Sequence, residues 1–215
     1  MKKIRLLISF LFFVGFITGC AAPQISQPPA PAAESSTQTQ TQTQILSPAL
    51  ENPDVHEVGF DIDDALLFSS PAFDRGYAGA EPYTAEFWKI INSSDEEVSV
   101  IKEKCYEILK AHQDKGHKVY LITSRNSDGG DALKKYLSGK MSIPEENIFF
   151  EPHGKTARIK ELGIDAFYGD SDSDIRYAEE AEAIPIRILR SPKSSYKGSC
   201  NPGCFNEFIV PDSEE

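Results

Sequence analysis

The sequence predicts an α/β fold in which a parallel sheet is covered by helices on both faces. From residue 56 onward, short apolar segments rich in β-forming residues alternate with segments whose apolar residues recur at helical spacing. This alternation is typical of parallel sheets, because parallel strands need a crossover connection that is usually a helix. Acidic residues also follow two of the strands directly, at Asp61 and Asp170, where such folds bind ligands.

Each element follows from a local pattern. The first strand, 58–60, is a short apolar run that ends in three carboxylates. A helix is predicted over 96–115, because apolar residues recur there every three or four positions and Gly116 can end a helix. The rest of the chain predicts strands over 118–123, 148–150, 166–168, 184–190 and, at an edge, 208–210, with helices over 131–137, 156–162 and 173–181.

An aromatic-rich insertion of residues 66–97 interrupts this alternation directly after the first strand. A segment in this place would cover a site at the strand ends, and ligand pockets are commonly lined by aromatic side chains. Phe73 and Trp88 are its candidates for ligand contact. The alternative, that both side chains only fill the core, is equally consistent with the sequence.

Two acidic segments indicate the chemistry. Asp61 and Asp63 would share one face of an extended chain, and adjacent carboxylates are costly unless a cation or a proton neutralises them. Asp170, Asp172 and Asp174 form a second such segment much later in the chain. Because ligands bind outside the carboxyl ends of parallel strands, the sequence predicts that the two segments meet around one metal ion.

Residues 1–19 predict a secretory signal, since Lys2, Lys3 and Arg5 precede an apolar run that stops just before Cys20. The segment resembles a bacterial lipoprotein signal, in which the cysteine becomes the lipidated N-terminus. A diacylated cysteine would supply the two chains that stable membrane attachment needs. An uncleaved anchor with an incidental cysteine is the alternative.

Residues 20–50 predict the lipidated N-terminus and a disordered linker that precedes a folded domain of residues 51–215. The linker is rich in Pro, Ala, Ser, Thr and Gln without apolar periodicity, so it cannot bury enough surface to offset the entropy of ordering. By resemblance to lipoproteins, Ala21 and Ala22 imply the periplasmic face of the outer membrane in a Gram-negative host.

The net charge excludes some partners. It is −11 for the whole chain and becomes −14 when residues 1–19, with three basic and no acidic residues, are removed. A domain this acidic is not expected to bind nucleic acid or anionic lipid non-specifically. An anionic substrate would therefore need a local positive group.

Three further cysteines remain. Cys200 and Cys204 flank the turn-forming residues 201–203 and could bridge in an oxidising compartment. A free pair and a Cys-x₃-Cys metal site are the alternatives, the latter lacking a nearby third ligand in the sequence. Cys105 lies on the apolar stripe of the predicted helix and is interpreted as a core residue.

Together these motifs resemble the haloacid dehalogenase (HAD) superfamily of phosphohydrolases, in particular the class B bacterial acid phosphatases of the DDDD group. The similarity spans residues 58–196 and is greatest over 60–64, 67–71, 167–172, 187–190 and 195–197. The resemblance implies a Rossmannoid three-layer sandwich with a small cap insertion after the first strand. It also implies Mg²⁺-dependent hydrolysis of small phosphomonoesters such as nucleotides and aryl phosphates.

By the same resemblance, Asp61 would attack the phosphoryl group to form an aspartyl-phosphate, and Asp63 would transfer the protons. Asp61, Asp170 and the backbone carbonyl of Asp63 would bind Mg²⁺, with Asp174 beside them. The implied substrate-binding residues comprise a phosphate group of Thr123, Ser124 and Lys155 and an aromatic pocket of Phe73, Trp88 and Tyr196. Relatives of this class form tetramers, so a homo-oligomer is expected.

Departures from the class leave alternatives open. Ala65 and Ser124 stand where the class has Thr and Gly, and the insertion is shorter than expected. The lipid anchor is more similar to the class C lipoprotein phosphatases. A class C-like phosphatase or 5′-nucleotidase, a phosphotransferase, and a catalytically silent surface lipoprotein of the same fold are therefore the alternatives.

A calcium-binding module is a weaker alternative. The alternating aspartates of residues 170–174 imitate the start of an EF-hand loop. That loop needs Gly at its sixth position and Glu at its twelfth, where this chain has Ile175 and Ala181.

Overall fold

The computed structural model describes residues 46–215. The predicted signal segment, Cys20 and most of the predicted linker lie outside these residues. In chain order the described elements are α1 (Pro48–Glu51), β1 (Glu57–Phe60), β2 (Leu67–Phe68), α2 (Ser70–Gly79), α3 (Ala85–Val98), β3 (Val100–Ile101), α4 (Glu103–Asp114), β4 (Lys118–Thr123), α5 (Gly130–Met141), a 3-10 helix (Glu145–Asn147), β5 (Ile148–Phe150), α6 (Thr156–Glu161), β6 (Ala166–Gly169), α7 (Asp172–Glu180), β7 (Ile184–Ile188) and β8 (Phe208–Val210).

Six strands form one parallel sheet in the order β5-β4-β1-β6-β7-β8. The first strand of the sheet in sequence, β1, lies near the centre, where Phe60 pairs with Leu121 on β4 and with Tyr168 on β6. Since all six strands run in the same direction, their carboxyl ends meet at one edge.

Helices cover both faces of the sheet, which confirms the predicted α/β fold. Side chains alternate along β4, so that Val119 and Leu121 join a core with α4 and α5. Tyr120 and Ile122 point to the opposite face, into a second core with α6 and α7. The three-layer arrangement therefore follows from the period-two pattern of the strands and the period-3.6 pattern of the helices.

Most predicted elements are confirmed, and the strands 118–123, 148–150 and 208–210 have the predicted bounds. The helix predicted over 96–115 is confirmed from Glu103 to Asp114, but its predicted start is wrong. Here α3 ends at Val98, β3 follows, and α4 begins only at Glu103. The apolar period continues across two helices, while antiparallel pairing of Phe68 with Val100 interrupts the helical backbone between them.

The predicted boundary between linker and domain at residue 50 is also wrong. Ala49 and Leu50 on α1 are buried in the main core. Ser47 caps this helix, and its Oγ lies 2.6 Å from the hydroxyl oxygen of Tyr168. The folded domain therefore includes residues that the composition assigned to the linker.

The insertion forms a small helical cap of residues 66–101, built from α2, α3 and the β2–β3 pair. Its own core contains Ala72, Phe87 and Ile91. Gly76 allows the two helices to approach closely, because a Cβ there would lie 2.7 Å from Cγ1 of Ile91. The cap is thus a packed unit that sits directly after β1.

The structure agrees with one of the alternatives predicted for the cysteines, the disulfide with a buried core cysteine. Cys200 and Cys204 form a disulfide, and Cys105 is buried and free. Among residues 46–215, no helix combines the length and apolar character that crossing a membrane requires.

Candidate active site

The carboxyl edge of the sheet brings the two acidic segments together. Asp61 follows β1, and its backbone N–H donates to the carbonyl of Tyr168 on β6 at 2.7 Å. Asp170 directly follows β6. Because β1 and β6 are neighbours, the two strand tips place Asp61 and Asp170 side by side, as the sequence predicts.

Lys155 joins these carboxylates from the start of α6. Its Nζ lies 2.5 Å from Oδ1 of Asp61 and 2.7 Å from Oδ1 of Asp174. Burial alone would lower the pKa of Lys155, but the two carboxylates outweigh it and the pKa is raised. Lys155 is therefore a buried ammonium ion held beside the predicted nucleophile.

Asp170 is held by Arg190, which follows β7. Nε of Arg190 donates to Oδ2 of Asp170 at 2.7 Å, and its Nη2 donates to the same oxygen. Burial raises the pKa of Asp170 to about 6, although Arg190 opposes the change. The guanidinium carbon also lies 4.5 Å from the ring centroid of Tyr196, so Arg190 connects the acidic cluster with the aromatic pocket. This role of Arg190 was not predicted from the sequence.

Three carboxylates form a cluster that could hold a cation. One oxygen each from Asp61, Asp170 and Asp174 lies within 4.8 Å of the others. Burial raises the pKa of Asp61 well above its ordinary value, and the charge of Asp174 adds to this, while Lys155 opposes it. Three buried carboxylates against two cations leave negative charge, and an all-oxygen donor set suits Mg²⁺. The side chain of Asp63 is not part of this cluster.

Asp63 is fixed by Thr123 and Arg125. Thr123 donates its hydroxyl to Oδ2 of Asp63 at 2.9 Å. Arg125 donates from Nη2 to Oδ1 at 2.6 Å and from Nε to both oxygens at 3.0 and 3.1 Å. Burial would raise the pKa of Asp63, but the charge of Arg125 and the hydrogen bonds from Arg125, Ser69 and Thr123 together outweigh it, so the net change is downward. The site therefore holds Asp63 as an oriented carboxylate.

Arg125 is the main residue that the sequence analysis missed. It is buried and also binds the cap, through Oδ2 of Asp95 at 2.5 Å and Oδ1 of Asn92 at 3.1 Å, both on α3. Asn92 in turn donates to the carbonyls of Asn126 and Asp128 after β4. In the sequence, Arg125 could be recognised only as a basic residue two positions after the end of a strand. Nothing in the neighbouring sequence indicated that its partners would be Asp63 and Asp95.

A cavity of about 410 Å³ opens over this edge of the sheet. Nine of the predicted site residues line it: Asp61, Asp63, Phe73, Trp88, Ser124, Lys155, Asp170, Asp174 and Tyr196. Thr123 is predicted to bind phosphate but does not line the cavity, because its hydroxyl is bonded to Asp63. The structure thus brings the predicted site residues to the same edge of the sheet. Thr123 contacts the site through the side chain of Asp63 and does not face the cavity.

Aromatic side chains form one wall of the cavity. The rings of Phe73 and Trp88 meet edge to face with centroids 6.2 Å apart. Tyr77 and Tyr83, from the cap, also line the cavity and were missed by the sequence analysis. Tyr83 is 71% exposed and has a φ of +66°, an uncommon backbone conformation for a residue other than glycine.

The second acidic segment is a strand end followed by a helix start. Ser171 caps α7, since its Oγ accepts from the N–H of Asp174 at 3.1 Å and Oδ2 of Asp174 accepts from the N–H of Ser171 at 3.1 Å. This reciprocal capping box fixes Asp174 toward the cavity. Because α7 begins at Asp172, the segment does not form an EF-hand loop.

Comparison with protein families and characterised sequences agrees with this geometry. Residues 30–199 match the family model described as HAD superfamily, subfamily IIIB (acid phosphatase). The class B acid phosphatase of Rahnella sp. (strain Y9602) is 35% identical over 171 residues, which cover 73% of this chain and 72% of that protein. The class B acid phosphatase of Salmonella typhimurium (strain LT2) is 30% identical over 236 aligned positions that span both chains completely.

A solved structure from Clostridium difficile, of a protein described as a phosphatase, has a similar fold. It superposes with a TM-score of 0.52 at 15% identity and covers 74% of this chain and 95% of that one. At this identity the similarity concerns the fold alone.

Proposed function

The chain belongs to the acid phosphatases of HAD superfamily subfamily IIIB, and from this premise we propose that it hydrolyses nucleotides and aryl phosphates through an aspartyl-phosphate on Asp61. Membership of the family makes it an enzyme, a phosphoric monoester hydrolase. The covalent intermediate, the use of Mg²⁺ and the substrate class are the parts of the proposal that the family match does not itself establish for this chain.

The observation that carries the proposal is the pairing of Lys155 with Asp61 at the base of an open cavity. A phosphomonoester dianion approaching a carboxylate nucleophile meets strong repulsion. A buried ammonium beside that carboxylate reduces the repulsion, because positive charge in a preorganised site stabilises the charge that develops during transfer. In a chain with a net charge of −11, such a local cation is required.

The oxygen cluster fits the metal that the family implies. Asp61, Asp170 and Asp174 would hold Mg²⁺, because their oxygens converge and their buried charges exceed those of the adjacent cations. When bound, the ion would neutralise charge on the phosphoryl oxygens. Of the three carboxylates, Asp174 is the least available to the metal, because both of its oxygens already accept hydrogen bonds, Oδ1 from Lys155 and Oδ2 from Ser171.

The chain's own residues divide the chemistry into two steps. In the first, which starts from the minor fraction of molecules with Asp63 protonated, an Asp61 oxygen forms a bond to phosphorus while the bond from phosphorus to the leaving oxygen breaks, and Asp63 gives its proton to that oxygen. In the second, a water molecule attacks the phosphorus, passes a proton to Asp63 and releases phosphate, which restores Asp61. Thr123 and Arg125 support both steps by fixing the orientation of Asp63.

The leaving group would lie against the aromatic wall. Phe73, Trp88 and Tyr196 present ring surfaces beside the acidic cluster. Aromatic rings stack on flat partners such as nucleobases and aryl groups, which supports the proposed substrates.

The decisive experiment uses the full chain in detergent with a chromogenic aryl phosphate. We expect Asp63→Asn to lower kcat by about 10²–10⁴-fold, Asp61→Asn to abolish turnover, and chelation to stop the reaction until Mg²⁺ is restored. Asp114→Asn, an exposed aspartate at the end of α4, is the matched control. If Asp61→Asn and Asp63→Asn both hydrolyse the substrate as fast as the parent, the mechanism is wrong.

The same assay separates the competing activities. A phosphotransferase would pass phosphate to an added alcohol, so the ratio of free phosphate to released aryl alcohol would fall as the alcohol concentration rises. A catalytically silent lipoprotein would release neither product.

We also propose that the protein is anchored through a lipid on Cys20 at the periplasmic face of the outer membrane. The support is the sequence alone: a basic and apolar leader, a cysteine and a linker without apolar periodicity. We also propose that the chain forms a homo-oligomer, a tetramer by similarity to the class, and the support is again the sequence alone. Light scattering of the purified chain tests this.

A further inference from the structure

The loop of residues 199–204, closed by the Cys200–Cys204 disulfide, packs against the acidic segment of the site. We call it the disulfide loop. The backbone N–H of Cys200 donates to both carboxylate oxygens of Asp172 at 3.1 Å. In return, the N–H of Asp172 donates to Oγ of Ser199 at 3.1 Å. The disulfide loop therefore holds the first residue of α7.

The disulfide loop also holds Arg190. The N–H of Arg190 donates to Oδ1 of Asn201 at 3.2 Å, and Nδ2 of Asn201 donates to the Arg190 carbonyl at 3.1 Å. Asn201 thus fixes the backbone from which the Arg190 guanidinium reaches Asp170.

Arg187 completes the connection from within the sheet. It is fully buried and donates from Nη1 to the carbonyl of Asp170 at 2.6 Å and from Nη2 to Oδ1 of Asp172 at 3.0 Å. Its Nε donates to Glu207 at 2.8 Å, and Glu207 accepts from the N–H of Phe205 just beyond the disulfide. Both ends of the disulfide loop are therefore tied to the segment that carries Asp170.

We propose that the disulfide loop is a positioning element for Asp170, so that breaking the Cys200–Cys204 bond lowers the affinity of the site for Mg²⁺. The inference rests on the proposed function, because it takes Asp170 as a ligand of the ion. Asp172, Asn201 and the disulfide act through other residues and need not touch substrate.

The physical reason lies in the short crosslink. Without it, residues 199–204 gain conformational freedom, and their hydrogen bonds to Asp172 and Arg190 must compete with water. Partners that orient metal-binding side chains typically contribute 10–100-fold to metal affinity. A dithiol reductant breaks the bond by a balanced exchange: the S–S bond is cleaved, two protein thiols form, and the dithiol becomes a cyclic disulfide.

The test begins with the full chain under oxidising conditions. Mass spectrometry of the tryptic peptide 198–215, alkylated before and after dithiol treatment, reports the state of Cys200 and Cys204 directly. Calorimetric titration then measures Mg²⁺ affinity in both states. We expect reduction to raise the Kd at least about tenfold. Free thiols at both positions before reduction would overturn the proposal.

Variants separate positioning from general stability. Cys200→Ser/Cys204→Ser should bind Mg²⁺ as weakly as the reduced protein and be insensitive to dithiol. Asn201→Ala, with the disulfide intact, should also weaken Mg²⁺ binding. Lys193→Ala, which removes an exposed ion pair in the same part of the chain, should change nothing.

A metal-free measurement keeps the two proposals distinguishable. In the presence of a chelator, hydrogen exchange of amides in residues 170–176 should accelerate on reduction. If the oxidised chain binds no Mg²⁺, the metal in the proposed function fails, while the exchange result still tests the disulfide loop. If reduction lowers the melting temperature but leaves Mg²⁺ affinity and this exchange unchanged, the loop is only structural and the positioning role is rejected.

Discussion

Nζ of Lys155 lies 2.5 Å from Oδ1 of Asp61, although 94 positions separate the two residues in the chain. The contact forms because the loop after β5 and the tip of β1 meet at the same edge of the sheet. Both side chains are buried, so the pair is weakly screened by solvent. The Lys155 ammonium can therefore offset the negative charge of an incoming phosphate while it also neutralises the carboxylate of Asp61.

Replacing Lys155 with Met should weaken binding of vanadate or phosphate by at least about 100-fold, which is the scale of two charge-assisted hydrogen bonds. It should also lower the metal-free free energy of unfolding by about 3 kcal/mol, because Asp61 and Asp174 are left buried without a cation. Calorimetry and chemical denaturation measure the two effects. Lys135→Met, exposed on α5, is the control; unchanged inhibitor affinity in Lys155→Met would remove the lysine from the site.

Arg125→Lys should lower kcat/KM by about 10²-fold with the fold retained. Lysine keeps the charge but loses the planar fork that binds Asp63 and Asp95 together, and small displacements of reacting groups have effects of this size. Steady-state kinetics on an aryl phosphate measures the loss. Arg158→Lys, a partly exposed arginine on α6, is the control. An Arg125→Lys enzyme with parental kinetics would show that the fork does not matter.

Trp88→Ala should raise KM about tenfold for an aryl phosphate, since losing one aromatic contact is worth about 1.4 kcal/mol. Glycerol phosphate has no ring to stack on Trp88, so its KM should stay within twofold of the parent value, which corresponds to at most about 0.4 kcal/mol. The ratio of the two effects is the measurement. Equal effects on both substrates would mean that Trp88 supports the cap rather than the leaving group.

His112 should make stability depend on pH. It is buried, with Nε2 2.7 Å from the Tyr168 hydroxyl and Nδ1 2.8 Å from Nδ1 of His117. Burial lowers the pKa of His112 to about 3, and the charges of His117 and Lys115 add to the effect. The unfolded chain takes up a proton below about pH 6.5 and the folded chain does not.

The contribution of His112 to stability should therefore fall by about 1.4 kcal/mol per pH unit as the pH falls from about 6.5 toward 3. His112→Gln should be less stable at neutral pH through lost hydrogen bonds, yet lose less on acidification. Urea denaturation at a series of pH values gives both slopes, with exposed His153→Gln as the control. Parallel curves for parent and His112→Gln would contradict the assignment.

The proposed anchor predicts a specific N-terminus. Intact-mass and peptide mass spectrometry of the mature protein should find Cys20 as the first residue, carrying a diacylglyceryl group. Cys20→Ala should abolish that mass and release the protein from the membrane fraction. An unmodified Cys20 in membrane-associated protein would end the lipoprotein proposal.

Much of the candidate site at the carboxyl edge of the sheet could be predicted, because the residues that directly follow a strand can be recognised from the local sequence. Asp61 and Asp170 follow apolar runs whose direction is fixed by the alternation of strands and helices. The approach of Lys155 was expected only through resemblance, since nothing in its own neighbourhood specifies a partner. The start of the helix predicted over 96–115 was wrong because one apolar period continued across a two-residue strand.

Arg125 shows where such prediction ends. Its sequence neighbours mark it only as a charged residue after a strand, while its partners Asp63 and Asp95 lie 62 and 30 positions away. Whether that guanidinium is solvated or buried depends on α3 packing over the end of β4. The hydrogen bonds between Asn201 and the backbone of Arg190 likewise depend on tertiary structure, because they form only when the disulfide loop folds back from the edge of the sheet.

By itself, the sequence determined the parallel α/β architecture and the edge at which its acidic residues gather, because periodicity and strand order are properties of the chain. Only the tertiary structure decided which cation neutralises which carboxylate: Lys155 with Asp61, Arg125 with Asp63, and Arg190 with Asp170. Buried charges must find partners within a few ångströms, and that distance is fixed by packing between elements far apart in sequence.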